Sequence, residues 1–234
     1  MRPLLAILFL PLIACAEPQK TTPWVDLLAD DSLVAWGQIR SETSSEAWNL
    51  KDGDFHLDET PSEAWNLKDG VLHLDKSLKI RGGYLYTKKK YQNFELKFDW
   101  KISDQGNSGV KYRINDKGVG IEYQIIDDSS KAAHKPSYRA GSFYDLLAAP
   151  DDKPIHKVGE WNKSRIVANG NQLEHWLNGV KILEIEYLSD EWNERFKKSK
   201  YREDPTFAST PGPIFLQDHG DDVWYRNVLI KELP

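Results

Sequence analysis

Polar and apolar residues alternate with a period of two along most of this chain, the pattern of strands buried on one face. Phe94, Leu96, Phe98, Trp100 and Ile102 alternate with Glu95, Lys97, Asp99 and Lys101. Val110, Tyr112 and Ile114 alternate with Lys111 and Arg113 after a turn predicted at 106–109, and Ile121, Tyr123 and Ile125 alternate with Glu122 and Gln124. Residues 165–169 and 172–177 read as a hairpin around Gly170 and Asn171, and a second turn at Asn178 and Gly179 leads into 180–185. Residues 214–217 and 223–233 complete the strands. One stretch near 189–200 reads as a short helix, with Ser189 as N-cap, Trp192 and Phe196 on its apolar side and a basic run to Lys200. Many short strands with a single helix predict an all-β fold, a jelly-roll β-sandwich. Residues 127–160 form an irregular segment too long for a plain connection, and such segments tend to carry function.

A tandem copy interrupts the pattern. Residues 45–58 recur as 62–75 at an offset of 17, with Asp54 and Phe55 replaced by Val71 and Leu72. Two copies are too few for a solenoid, which needs at least three stacked repeats. Both copies suit the same slot, and the second, with apolar Val71 and an unbroken run into the rest of the domain, is expected to hold it.

The N-terminus reads as targeting rather than fold. Residues 1–14 carry Arg2 and then an apolar stretch, 4–13, too short to span a bilayer. The stretch ends in Leu12-Ile13-Ala14-Cys15, which resembles a bacterial lipobox and implies lipidation of Cys15. The expectation is an exported lipoprotein at the outer membrane or periplasmic face, touching the membrane only through its lipid anchor. Residues 15–23 then serve as a polar tether and 24–234 as one domain. Cys15 is the single cysteine, so the folded domain holds neither a disulfide nor a catalytic thiol. A formal charge of −5 argues against nucleic acid, whose binders present a basic face. Among the aromatic residues, 9 Trp and 10 Tyr outweigh 8 Phe, and such amphipathic rings suit sugar faces as well as cores.

Candidate chemistry clusters on the predicted strands. Glu122 and Gln124 share one face, Gln217 and His219 share another with Phe215, and His175 shares a face with Leu173 and Leu177, where a core histidine is as natural as a catalytic one. Asp127, His134 and Tyr144 lie in the long loop, Asn107 in the predicted turn, and Trp176 beside His175. His56, His73 and His156 read as structural or exposed. Acid, amide, imidazole and indole groups of this kind suit a hydroxyl-rich ligand.

In chain order Gly106-Asn107-Ser108-Gly109, Glu122-Tyr123-Gln124, Tyr144-Asp145-Leu146, Gly159-Glu160-Trp161-Asn162, His175-Trp176-Leu177-Asn178-Gly179 and Leu216-Gln217-Asp218-His219-Gly220 resemble the motifs of the 3-keto-disaccharide hydrolase family. The resemblance covers about 24–233 and implies a concanavalin/laminin-G-like jelly roll that cleaves glycosides already oxidised to a ketone at C3. The ketone acidifies the C2 hydrogen, so a base can remove it, the C1 substituent can leave, and water can add. That chemistry needs a base and something polarising at the ketone oxygen, not the paired carboxylates of ordinary glycosidases. It points to Glu122, His175 and His219 as catalytic, with Asn107, Gln124, Asp127, His134, Tyr144, Trp176 and Gln217 binding an oligosaccharide or glycoside. No cofactor is required, though a divalent metal on Glu122, His175 and His219 is compatible with the residue types. The same residues also fit a second reading, a non-catalytic, lectin-like surface lipoprotein, because fold alone does not decide function.

Overall fold

A computed structural model describes residues 22–39, 57–58, 63–79, 83–208 and 211–234. The leader, Cys15, most of the tether, His56 and nearly all of the first copy lie outside those residues. Within them the strands are β1 (Val25–Asp26), β2 (Trp36–Ile39), β3 (Leu57–Asp58), β4 (Trp65–Lys68), β5 (Val71–Leu74), β6 (Tyr84–Thr87), β7 (Phe94–Ile102), β8 (Asn107–Tyr112), β9 (Ile121–Ile126), β10 (Asn162–Asn169), β11 (Gln172–Leu177), β12 (Val180–Glu186), β13 (Phe215–Leu216) and β14 (Val223–Glu232). The α-helix α1 covers Asp190–Phe196.

The strands form two antiparallel sheets of a jelly-roll β-sandwich. The larger runs β12-β11-β10-β7-β14-β5-β4, with β1 also paired to β14, and the smaller runs β3-β2-β6-β13-β8-β9. Alternation sends Phe98, Trp100 and Tyr225 of the larger sheet toward Val110, Tyr112 and Tyr123 of the smaller, and all six are buried. Truncating any of these rings to alanine would cost about 3–5 kcal/mol. Their polar ends are satisfied: Trp100 Nε1 donates to Ser164 Oγ (2.8 Å), which donates to the Tyr123 hydroxyl (2.8 Å). These polar groups are tolerated at the centre of the core because they pair with one another.

Two local outcomes differ from the sequence reading. Residues 107–109, predicted as a turn, open β8 instead. Ser108 points inward, its Oγ donating to Gln217 O (2.7 Å) and meeting the Tyr225 hydroxyl at 2.9 Å. The helix ends at Phe196 rather than near 200, where the Ser199 hydroxyl donates to the freed Phe196 carbonyl (2.8 Å). The second copy forms the β4–β5 hairpin, with Asp69 and Gly70 at φ 52° and 71°, suited to a tight two-residue turn. Its Trp65 indole donates to Gly83 O (2.8 Å) and its Leu72 is fully buried. Leu57 and Asp58, equivalent by sequence to Leu74 and Asp75, pair with β2 on the edge of the other sheet.

Candidate active site

On the smaller sheet, alternation leaves Asn107, Gly109 and Lys111 of β8 facing away from the core, and the β8–β9 register sets Lys111 opposite Glu122 and Gly109 opposite Gln124. This outward face is itself covered. Lys111 Nζ lies 3.5 Å from Glu122 Oε2, and the two side chains are only 12% and 5% exposed. Glu122 folds back over Gly109: a Cβ at residue 109 would stand 2.5 Å from Glu122 Oε1. Gln124 completes the cradle, its amide nitrogen donating to Glu122 Oε1 (2.9 Å) and Ser108 O (3.1 Å) while its oxygen faces the Asn107 carboxamide (3.2 Å).

Aromatic rings continue the floor toward β2. Gln217 Nε2 donates to the Tyr84 hydroxyl (3.0 Å), and Lys111 Nζ lies 5.2 Å from the centre of that ring. Phe215 meets Tyr84 edge-on and packs against Tyr86, whose ring lies over Gly37, where any side chain would collide.

Two irregular segments build the wall. The first runs beside β9, where Gly141 N donates to Gln124 O (2.8 Å) and Tyr144 N to Glu122 O (3.1 Å). It stacks Tyr144 on Tyr138 at 4.5 Å. The second brings Lys200, whose backbone N–H donates to Asp145 Oδ2 (2.7 Å) and whose Nζ lies 4.4 Å from the Tyr144 ring centre and 5.0 Å from that of Tyr201. Lys111, Lys200, Tyr201 and the Gly118–Val119–Gly120 turn enclose a recess of about 370 Å³.

Electrostatics distinguish this face from an ordinary solvated one. Burial pushes the Lys111 amine down, although Glu122 pulls the other way. Lys200 is an exposed residue, yet desolvation within the concavity pushes its amine down against the attraction of Glu122. Burial, helped by the negative charge of Glu122, pushes the Tyr144 and Tyr201 phenols up. A carboxylate, two ammonium groups with a weakened hold on their protons and two protonated phenols therefore share one partly dry concavity. Such a group can take a proton from carbon and stabilise negative charge on an adjacent oxygen.

Glu122, Gln124, Asn107, Gln217 and Tyr144 come together here, Asn107 from a strand rather than the predicted turn. His219 is exposed in the turn after Gln217, where Asp218 accepts from Gly220 N and Gly83 N (2.8 and 2.9 Å).

His175 corrects the expectation. It sits in the core with no exposed surface, stacked on Phe143 at 3.8 Å. Nδ1 donates to Gly141 O (2.9 Å), so Nε2 accepts from the Tyr112 hydroxyl (3.0 Å). With both nitrogens engaged and burial lowering its pKa to about 3, it is a neutral strut between the sheets. Glu122, His175 and His219 therefore do not fit a shared metal: His175 points inward from the larger sheet, Glu122 outward from the smaller.

Trp176 also departs, since it lies on the solvent side of the larger sheet, donating to Glu174 Oε2 (2.7 Å) under Arg165. Asp127 is a loop brace: burial opposes its charge, but hydrogen bonds from Ser129 and Gln105 hold its carboxyl below the usual range. His134 is exposed, its ring edge-on to Tyr138 at 5.3 Å.

His73, Asp75 and Asp222 are the described group that could offer three ligand atoms, all within 4.8 Å. Hydrogen bonds already occupy them, His73 Nε2 to Asp222 (2.9 Å) and Asp75 to Ser77 N (2.8 Å). Sequence reading missed Lys111, Tyr84, Lys200 and Tyr201. Lys111 was visible as an outward residue of β8, but only the register shows that it faces Glu122.

Comparison with known proteins bears on the family and the architecture. Residues 23–231 match the 3-keto-alpha-glucoside-1,2-lyase-like domain. A 3-keto-disaccharide hydrolase from Bacteroides thetaiotaomicron is 33% identical over 184 residues, 65% of this chain and 62% of that protein. The match thus spans less than two thirds of that relative. Two crystal structures from Parabacteroides distasonis, both provisionally assigned as glycosyl hydrolases, share the architecture. One, at 1.70 Å, is 27% identical with a TM-score of 0.71, covering 90% of this chain and 94% of that one. The other, at 2.00 Å, is 28% identical with a TM-score of 0.66, covering 90% and 100%.

Proposed function

Because the chain belongs to the 3-keto-alpha-glucoside-1,2-lyase-like domain family, we propose that it is a carbohydrate-active enzyme that cleaves 3-keto-glycosides by elimination and hydration. The observation that carries this reading is the Glu122–Lys111 pair, desolvated in a walled concavity with aromatic and amide neighbours. Glu122 takes the C2 proton of the keto-sugar. The C2–H electron pair becomes the C2–C3 enolate bond, and negative charge settles on the C3 oxygen, which the Lys111 ammonium stabilises. The enolate then re-forms the ketone as a C1–C2 double bond develops, and the C1–oxygen bond breaks with its electron pair leaving on the departing alcohol. The phenols of Tyr144 and Tyr201 and the Lys200 ammonium can protonate that oxygen. Water adds across C1–C2 to give the free keto-sugar. A positioned base contributes about 10²–10⁴ and an oxyanion donor about 10²–10³ in rate.

Incubating the protein with a 3-keto-disaccharide and with the same sugar unoxidised tests the reading. Turnover of the oxidised sugar alone is expected, with deuterium at C2 of the product in D₂O and at least a hundredfold loss in Glu122→Gln. Binding of both sugars without turnover would replace the enzyme by a lectin-like protein. Export and acylation at Cys15 are proposed on the apolar run ending at that residue. Cys15→Ser should release the protein from the membrane fraction, and unchanged attachment would discard the anchor.

A further inference from the structure

The solvent side of the larger sheet carries chemistry that the concavity does not use. There β14 lies between β5 and β7, and the register aligns Trp224 with His73 on one side and Lys101 on the other. His73 stacks on Trp224 at 4.5 Å and 8°. Lys101 Nζ lies 4.1 Å from the Trp224 ring centre and 5.4 Å from that of Trp161, and the Arg226 guanidinium lies 4.1 Å from Trp161. Trp24, near the start of the described chain, adds another indole, with Lys97 and Lys231 at 4.3 and 4.7 Å. All three indoles are only partly buried.

Charge on this patch runs against that of the chain. Glu95, 8% exposed, lies beneath Arg165 (2.7 Å), Lys231 (2.8 Å) and Lys97 (3.9 Å). Asp99, 6% exposed, lies beneath Arg226 (3.1 Å). Among the described residues Lys101 pairs with no carboxylate. Five cations, Lys97, Lys101, Arg165, Arg226 and Lys231, thus stand against the two buried acids and Asp222, which holds His73 at the patch's edge, a local excess of positive charge on a chain of net charge −5. Toward β12 the balance returns, where Lys181 meets Glu174 and Glu184.

We propose that this face lies against the bilayer to which the chain is tethered, its indoles at headgroup level and its lysines and arginines on anionic phosphates. Indoles favour the membrane–water boundary, and each basic residue near an anionic surface contributes about 1 kcal/mol. The tether fits. From Cys15 to Trp24 the chain can reach at most about 30 Å, and Trp24 belongs to this face. The tether rests on acylation at Cys15; the patch does not. An acidic glycan would meet the same cations, but stacking sugars requires open ring faces, and His73, Lys101 and Arg226 already stand on those of Trp224 and Trp161. The concavity, on the opposite sheet, then opens away from the membrane.

The test uses the full chain on vesicles of phosphatidylethanolamine and phosphatidylglycerol containing a headgroup spin-labelled lipid. Tryptophan emission should be quenched. The triple variant Trp24→Phe, Trp161→Phe, Trp224→Phe should lose most of that quenching while keeping its thermal midpoint within a few degrees. Lys97→Glu, Lys101→Glu and Lys231→Glu together should weaken binding to phosphatidylglycerol vesicles at least tenfold at low salt. Quenching that persists in the triple tryptophan variant overturns the proposal. So does equal binding by the charge variant, or tight binding to a soluble polyuronate with no quenching on vesicles. If mass spectrometry finds no acyl group, the anchor fails separately. Salt-sensitive vesicle binding by the same protein, lost in the charge variant, then still upholds the face, and no vesicle binding overturns it.

Discussion

Gly109→Ala separates the position of Glu122 from its presence. The added Cβ would stand 2.5 Å from Glu122 Oε1 and 3.0 Å from its Cδ and Cγ, and ordinary contact begins at 3.4 Å. Gly109 is not among the residues with positive φ, so alanine fits the backbone and the nearest collisions are all with the Glu122 side chain. Glu122 must give way by about 0.9 Å, which moves it relative to Lys111 and to any bound sugar. A displacement near 1 Å from productive geometry costs about 10² in rate. Stability should suffer less, since the obstacle is the end of a flexible side chain: about 1–3 kcal/mol at most, or a few degrees in a domain of this size. Steady-state turnover of a 3-keto-disaccharide beside a thermal melt measures both. The expected outcome is a hundredfold lower kcat with a nearly unchanged melt, and partial recovery in Gly109→Ala, Glu122→Asp, where the shorter acid relieves the clash. A variant that melts normally and retains half the parent rate would refute the view that the carboxylate acts from this place.

Other perturbations report on neighbouring parts. Lys111→Met should lower kcat by about 10²–10³. In the parent, activity should fall with rising pH below the ordinary lysine value of 10.5, because burial pushes the Lys111 amine down. A rate flat to pH 10 would exclude its ammonium. His175 has its pKa lowered to about 3 from 6.5, so between those values the unfolded chain binds a proton that the folded chain refuses. Stability should therefore be full above pH 6.5 and fall as pH drops toward 3, at ~1.4 kcal/mol per unit. His175→Phe should flatten that decline, and an identical acid limb in both proteins would show that the ring is not neutral in the fold. Deleting 45–61 should leave a folded protein of similar activity, since β4 and β5 come from the second copy. Failure to fold would show that the first copy is integral.

Much of the architecture was legible because strand alternation is a local signal. The predicted 94–102 coincides with β7, and the shared face of Glu122 and Gln124 follows from a period of two. What stayed hidden depends on register and on long connections. That Lys111 faces Glu122 requires the pairing of β8 with β9, and Lys200 and Tyr201 reach the same concavity from a segment nearly 80 residues later. His175 shows a different difficulty. Its place beside Leu173 and Leu177 already pointed inward, while its family motif drew it toward catalysis; a buried histidine with two partners satisfies both patterns. Residues 106–109 resembled a turn because Gly and Asn usually signal one. Here Gly109 is small because a carboxylate lies over it.

The bond from His175 to Gly141 makes the concavity's wall part of the sandwich's cooperative unit. The segment around 139–147 has the irregular trace of a loop, but its carbonyl is gripped by the opposite sheet and its amides by β9. Its amide hydrogens at Gly141 and Tyr144 should thus exchange with solvent at rates close to those of core strands, through global rather than local opening. A wall held in this way cannot swing aside to admit a sugar. Admission would fall to the segment carrying Lys200 and Tyr201, and rapid exchange confined to that side would mark it as the door.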